Sequence, residues 1–364
     1  VHRHGFLYTK ICEIENIKKA MAKAALGKRN QKRIRKVLEH SDVTAQKIRG
    51  MLVNKTYVPS KPQIKTIQDR SSGKVRVIHK PNFYPDQIIH WALMLQLEPI
   101  IMRGMYEYNC GSVPGRGTSM GQKALSKWLR KDRRGTKYCL KMDIKKFYPS
   151  IDNSLLKAKF RRKIKDPDVL WLIDQILFTD VGQPIGFYTS QWFANFFLQD
   201  FDHFVKEQLH VKYFIRYVDD LVLLGPNKRK LHRAREAISK YLHKQHLNVK
   251  PNWQVFRTSC RDIDFLGIRF FPDHMILRKR NALRIRRRIN RIKKKGYLNY
   301  ADACAVISYW GWLKRTNSYH FYHSVVKPVV GIKLARKVVS VNVRYYPRRD
   351  FKAKLNRRRR LQAG

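Results

Sequence analysis

Apolar and polar positions change period several times along the 364 residues, and each change marks an element. Residues 12–55 carry helical spacing. From 62 to 80 the pattern shortens to alternation around Ser71-Ser72-Gly73, which predicts two short strands joined by a turn. Residues 86–104 return to a helical period, with Ile88, Ile89, Trp91, Ala92, Leu95 and Leu97 ahead of Pro99. A glycine-rich stretch, Gly111-Ser112-Val113-Pro114-Gly115-Arg116-Gly117-Thr118, opens a helix over 119–130, and a strand-like run then ends at Asp143. Residues 153–178 read as helical, and the turn Gly182-Gln183-Pro184-Ile185-Gly186 leads into an amphipathic helix expected to run through 207. Two strand-like runs, Tyr213-Phe214-Ile215 and Leu221-Val222-Leu223-Leu224-Gly225, meet at a tight polar turn. A helix over 229–246 and strands near 247–256 and 263–271 follow, and past Pro272 a helical face of Leu283, Ile285, Ile289 and Ile292 begins. No internal repeat is evident. The alternation of helices and strands suits a mixed sheet backed by helices, an α/β or α+β architecture.

The turn between the two central runs is Tyr217-Val218-Asp219-Asp220. Adjacent carboxylates at a hairpin tip repel unless a cation bridges them, and Mg²⁺ is the usual hard partner. Taken alone the tetrad is weak, because aspartate is common in turns. A third carboxylate changes that: Asp143 also ends a strand-like run, in Leu140-Lys141-Met142-Asp143-Ile144. Acids from two neighbouring strands suit two Mg²⁺ ions about 4 Å apart, clamping an attacking hydroxyl and a leaving oxygen.

Composition points to an acidic partner. The chain has 78 Lys plus Arg against 26 Asp plus Glu, a formal charge of +52. A polyanion whose counterions are released on binding is the natural complement. A membrane partner is disfavoured, since no apolar stretch is long enough to span and no lipidation signal is present. Five scattered cysteines without a CxxC pair, and no secretory leader, point to a reducing cytoplasm. His243 and His246 are the close histidine pair and read as a solvated helix end, not a zinc site.

Several basic segments fit phosphate contacts, though each also fits a solvated face. The block from Lys28 to Lys36, including Lys32 and Arg33, is one. Residues 278–295 are another, with Arg284, Arg287, Arg288 and Arg291 on a helical subdomain expected to lie along a duplex. Ser308-Tyr309-Trp310-Gly311-Trp312-Leu313-Lys314 continues it, its aromatics read first as core and otherwise as a nucleic-acid contact. The glycine-rich stretch is not a Walker loop, because no Gly-Lys-Ser/Thr follows. The last stretch, with Arg357-Arg358-Arg359-Arg360, reads as an arm disordered until bound.

In order along the chain, Asp143 with Tyr148, the turn from Gly186 to Gln191, Tyr217-Val218-Asp219-Asp220 and Phe265-Leu266-Gly267 resemble the motifs of reverse transcriptases. The resemblance implies a right-hand polymerase fold, with fingers and palm around a small mixed or antiparallel sheet and a helical thumb. On that basis residues 1–61 are a basic helical extension, 62–135 fingers, 136–271 palm, 272–340 thumb and 341–364 a basic tail. It implies Asp143, Asp219 and Asp220 as catalytic acids and Asp143, Ile144, Asp219 and Asp220 as the site of two Mg²⁺ ions, with Mn²⁺ as a substitute. Tyr148 would be the steric gate against a ribose 2′-hydroxyl, or else a core aromatic beside Phe147. Lys74, Arg76, Ile185, Gly186, Ser190 and Gln191 would line the nucleotide, with Lys250 a candidate for protonating pyrophosphate or a solvated turn residue. Ser190 and Gln191 have a second reading as helix caps. Phe265, Leu266 and Gly267 would grip the primer. Val113 stands where related enzymes carry arginine before the proline, so a phosphate contact is expected from Arg116.

The turn Ile185-Gly186-Phe187-Tyr188-Thr189-Ser190-Gln191 narrows the resemblance to the reverse transcriptases of diversity-generating retroelements, by its Ser-Gln ending. The opening His2-Arg3-His4-Gly5-Phe6-Leu7 and the 308–314 segment also resemble that group. It implies a structured template RNA, an RNA–DNA hybrid, deoxynucleoside triphosphates, errors opposite adenine, and a pentameric basic accessory protein, in a bacterial or phage-infected cell. Ile185, Arg76 and Gln191 are where loosened base selection is expected. Group II intron enzymes share the palm but add a maturase segment, for which the sequence past 340 is expected to leave no room. The alternatives are a retron or defence-associated reverse transcriptase, and an RNA-binding protein with a silent polymerase fold, which would break the acid set.

Overall fold

The computed structural model describes residues 3–68, 75–179 and 181–344, with the backbone of 353 and 354. Lys74, the 71–73 turn, His2 and the Arg357–Arg360 run lie outside the described residues. The chain divides into two compact units, Val1–Thr118 with Leu140–Val255, and Ser119–Cys139 with Phe256–Gly364.

The first unit starts from helices. Ile14–Ala24 presents Ile17, Ala20, Met21 and Ala24 to the core, and Ile88–Arg103 presents Ile88, Ile89, Ala92, Leu93 and Leu97. Asn16 is buried there and stays satisfied: its amide donates to the carbonyls of Ile11 and Ala92, and its oxygen accepts from Gln96. β1 (Gln63–Gln68) and β2 (Val75–Lys80) pair antiparallel as a two-stranded ribbon. The central sheet has the order β4-β5-β3-β6, built from β3 (Tyr138–Asp143), β4 (Tyr213–Tyr217), β5 (Asp220–Gly225) and β6 (Gln254–Arg257). Leu221 to Leu224 are all buried, as expected for a strand covered on both faces.

Three sequence expectations change here. The 153–178 helix is two, Asn153–Lys163 and Pro167–Ile176, because Asp166 accepts from the amides of Asp168 and Val169 as an N-cap with Pro167 in the first turn. The helix expected through 207 is Tyr188–Phe197 followed by shorter segments, Gln199–His203 and Phe204–Gln208. The strand expected from 247 begins only at Gln254; Pro251 lacks the N–H a ladder needs.

In the second unit, β7 (Ile263–Phe265), β8 (Ile268–Phe270) and β9 (Met275–Leu277) form an antiparallel meander. Its helical part buries Ile285, Ile289 and Ile292 of Lys279–Lys295 against Ala303, Val306, Tyr309 and Leu313 of Tyr300–Leu313, and Ala335 and Val338 of Ile332–Arg344. Tyr309 and Leu313 belong to this cluster, and Trp310 and Trp312, half-buried, pack against it. Among the described residues no helix is long and apolar enough to cross a membrane.

Candidate active site

β4 and β5 pair antiparallel up to Tyr217 opposite Asp220, which leaves Val218 and Asp219 as the turn. Val218 has φ +59, a left-handed conformation that a β-branched residue rarely adopts. Asp143 ends β3 beside this turn. The amide of Ile144 donates to the carbonyl of Asp219 at 3.0 Å, and that of Lys250 donates to the carbonyl of Asp143 at 2.8 Å. Asp143 and Asp219, far apart in sequence, are thereby fixed on adjacent backbone.

Burial pushes the Asp219 carboxyl above the usual carboxylate range, and the Asp143 charge pushes it further; Lys250 and Arg76 oppose both. Lys250 Nζ forms an ion pair with Asp143 Oδ1 without hydrogen-bond geometry. The solvated-turn reading of Lys250 is therefore corrected: its ammonium serves the acid. Lys141, on the same strand as Asp143, sits 4.0 Å from Asp220 Oδ1.

Among the described residues no three His, Cys, Asp or Glu side chains converge in metal-ligating position. Asp143 and Asp219 are the mutually repelling pair, while Asp220 is directed to Lys141. Two carboxylates still fit Mg²⁺, which keeps several waters and is held by one or two acids plus substrate phosphates.

Tyr148, on the short helix Phe147–Ser150, is half-buried, whereas Phe147 is core. Burial and then the Asp219 charge push its hydroxyl up to about 12. The gate candidate thus feels the Asp219 charge. The 182–191 turn meets the ribbon: the Ile185 carbonyl accepts from the His79 amide at 2.8 Å. Gly186 follows at φ +118, and any Cβ there would overlap the His79 carbonyl oxygen, so this position needs glycine. Arg76 is on β2 and exposed.

Ser190 and Gln191 separate. Ser190 is 1% exposed with its hydroxyl unpartnered, so its expected place on the nucleotide surface is corrected to the core side of the helix. Neither caps the helix, whose N-cap is Phe187 without a side-chain bond. Gln191 is exposed and lines a 440 Å³ cavity with Lys28, Lys80, Gln87, Trp91 and Tyr188, whose rings stack at 3.7 Å. The Arg116 guanidinium donates from Nη1 to the Tyr106 carbonyl at 2.6 Å, which anchors it near the end of Ile88–Arg103.

The family model described as "Reverse transcriptase (RNA-dependent DNA polymerase)" matches residues 61–270. The chain belongs to the reverse transcriptase family. The mixed α/β structure, with antiparallel sheets and many helices, is accordingly the right-hand polymerase fold. Among similar proteins, the Retron Ec73 reverse transcriptase of Escherichia coli is 25% identical over 70% of this chain and 82% of its own length. The group II intron-encoded protein LtrA of Lactococcus lactis subsp. cremoris is 28% identical over 56% of this chain, which spans about a third (34%) of that protein. A solved telomerase from Candida albicans, in complex with a TWJ fragment of telomeric RNA, superposes with a TM-score of 0.46 at 15% identity, over 61% of this chain and 46% of that one.

In the second unit of this reverse transcriptase, the expected primer grip is a hairpin tip. Leu266 and Gly267 take φ +49 and +83 between β7 and β8. Phe265 is 0% exposed and anchors the strand, so the expected contact through its ring is corrected: the ring is closed to a primer. Gln122 donates to the Leu266 carbonyl at 3.0 Å and Asn281 to the Gly267 carbonyl at 3.0 Å.

Of the basic side chains expected on nucleic acid, Lys32, Arg33, Arg287, Arg291 and Lys314 are exposed and Arg284 partly so. Arg288 is corrected. Its guanidinium bonds Asp302 at 2.6 Å, with Lys295 at 3.1 Å on the other oxygen, because Asp302 is 1% exposed and needs compensation. Sequence reasoning also passed over Lys141 beside Asp220 and the buried ion pair of Arg216 with Asp202; one signal was available, a charged residue, Arg216, inside the apolar β4 run.

Proposed function

We propose that this member of the RNA-dependent DNA polymerases copies a structured retroelement RNA into cDNA at the Asp143–Asp219 site. The observation that carries the reading is the junction of β3 with the β4–β5 turn, which sets Asp143 and Asp219 side by side. Asp143 and Asp219 with Ile144 would hold Mg²⁺, which when bound would supply charge stabilisation for nucleotidyl transfer, while Asp220, turned to Lys141, stands outside that pair. Lys250 and Lys141 steady Asp143 and Asp220. Arg76 approaches the acids from β2 and, with its planar fork, suits triphosphate oxygens. Tyr148 closes the sugar side, and Ile185, Gly186 and Gln191 border the base.

The finer assignment is to a diversity-generating retroelement, supported by the Ser190-Gln191 ending of the turn. On this reading the +52 chain and a basic pentameric accessory protein meet on the RNA, and errors concentrate opposite adenine. A retron reverse transcriptase is the second reading, favoured by the similarity to the Escherichia coli retron enzyme.

Primer extension on RNA and DNA templates by the wild type and Asp219→Ala tests the chemistry. Loss of synthesis with RNA binding retained supports it, and undiminished synthesis in the variant removes it. Sequencing the products separates the two retroelement readings: errors concentrated opposite template adenine favour the first, and evenly spread errors the second. Substituting Ile185 or Arg76 should alter that adenine spectrum.

A further inference from the structure

We infer that Arg216 and Asp202 act as a positioning pair, aiming the Asp219-Asp220 turn from inside the core through the Val218 carbonyl. This rests on the reading that Asp219 is a catalytic acid. Both side chains are 0% exposed. Arg216 Nε donates to Asp202 Oδ1 and Nη2 to Asp202 Oδ2, each at 2.6 Å, which fixes the plane of the guanidinium. Its remaining edge points at the turn. Nη1 donates to the Val218 carbonyl and to Asn195 Oδ1, both at 3.2 Å.

Val218 needs such a restraint because its left-handed backbone is unfavourable for a branched side chain. The turn is held from the other side too. The Cys110 amide donates to the Arg216 carbonyl at 2.8 Å, and the Arg216 amide to the Tyr108 carbonyl at 3.1 Å. Asn195 Oδ1 also accepts from Asn109 at 3.0 Å, while Asn195 Nδ2 donates to the Gly111 carbonyl at 2.8 Å. Gly111 lies so close that a Cβ would come within 2.5 Å of the Val218 nitrogen. With the Asp219 carbonyl fixed by Ile144, peptide groups on both sides of the Asp219 side chain are tethered.

A buried ion pair is a poor source of stability compared with apolar residues of the same volume. What this pair supplies is direction: a rigid fork whose far edge sets a carbonyl one residue from a catalytic acid. Arg216, Asp202, Asn195 and Gly111 are positioning residues, buried and acting through the backbone of the turn.

The test compares Arg216→Lys, Asn195→Ser, Gly111→Ala and the apolar pair Arg216→Met with Asp202→Leu, in the full chain. Each is read by thermal melting, affinity for an RNA–DNA duplex, Mn²⁺ binding by electron paramagnetic resonance, and primer extension against Mg²⁺ concentration. In variants that melt within a few degrees of the wild type, kcat should fall about 100-fold, the loss typical of a misplaced catalytic group. Mn²⁺ binding should weaken and half-saturating Mg²⁺ should rise, with duplex affinity unchanged. Arg216→Lys or the apolar pair at wild-type kcat and wild-type metal dependence overturns the inference. If those do not fold, Asn195→Ser and Gly111→Ala decide by the same readouts, and wild-type behaviour in both overturns it. An inactive Asp219→Ala beside wild-type positioning variants rejects this inference alone; an active Asp219→Ala rejects the functional reading beneath it.

Discussion

The amide of Ile144 donates to the carbonyl of Asp219 at 3.0 Å, and this bond ties the end of β3 to the turn between β4 and β5. Because Ile144 follows Asp143, the two acids are coupled through backbone. They should then behave as one unit: Asp143→Asn and Asp219→Asn should each cut synthesis by about a thousandfold or more, and the double variant by little beyond either. Single-turnover extension measures this, and multiplicative losses would mean independent acids.

Tyr148 lies within reach of the Asp219 charge and is only half-buried, so trimming it should open the sugar pocket without collapsing the core. Tyr148→Ala should lower the preference for deoxynucleotides over ribonucleotides by about 10- to 100-fold, and Tyr148→Phe should keep it. The check is the ratio of kcat/KM for the two sugars. An unchanged ratio in Tyr148→Ala would make the ring a core aromatic.

Gly186→Ala places a methyl group on the His79 carbonyl and forces φ +118 on a residue with a side chain. About 1–3 kcal/mol of local strain should result. The KM for nucleotide should rise because β2 and the 182–191 turn separate; denaturant unfolding and steady-state kinetics on the same protein report both effects.

Arg287 and Arg288 are adjacent but differently placed, Arg287 exposed and Arg288 bonded to Asp302. Arg287→Ala should leave the melting temperature unchanged and reduce the salt dependence of nucleic-acid binding by about one phosphate contact. Arg288→Ala leaves Asp302 buried with Lys295 alone, and should cost about 3 kcal/mol of stability. Equal effects of the two on binding, with no difference in stability, would contradict the assignment.

His90 is fully buried with Nδ1 unpartnered, and burial pushes its pKa down to about 3. The unfolded chain, near the ordinary value of 6.5, binds a proton that the folded chain refuses, so stability falls as pH drops from about 6.5 towards 3. The slope from this group is at most about 1.4 kcal/mol per pH unit. Denaturant unfolding of wild type and His90→Gln from pH 7 to 4 should show the shallower decline in the variant; parallel curves would mean that His90 charges in the folded state.

Much of the site was legible because strand patterning and chemistry coincide there. The runs on either side of Tyr217-Val218-Asp219-Asp220 are apolar enough to be buried strands, and carboxylates between them stand out. The same holds for Asp143. Helix ends were less legible: Asp166-Pro167 divides one apolar stretch into two helices through a capping interaction that periodicity does not register.

By itself the sequence determined the hairpin, the acids at its tip and on β3, the strongly basic charge and the order of motifs, since these depend on residue type and short spacing. Only the tertiary structure decided which way neighbours face. Ser190 goes inward and Gln191 outward, and Phe265 anchors while Leu266 and Gly267 turn. It also decided which charges are spent internally: Arg288 on Asp302, Lys250 on Asp143 and Arg216 on Asp202. A cation written in the sequence has no assigned partner until the fold brings a carbonyl or carboxylate to it. Burial then sets the cost of leaving either one alone.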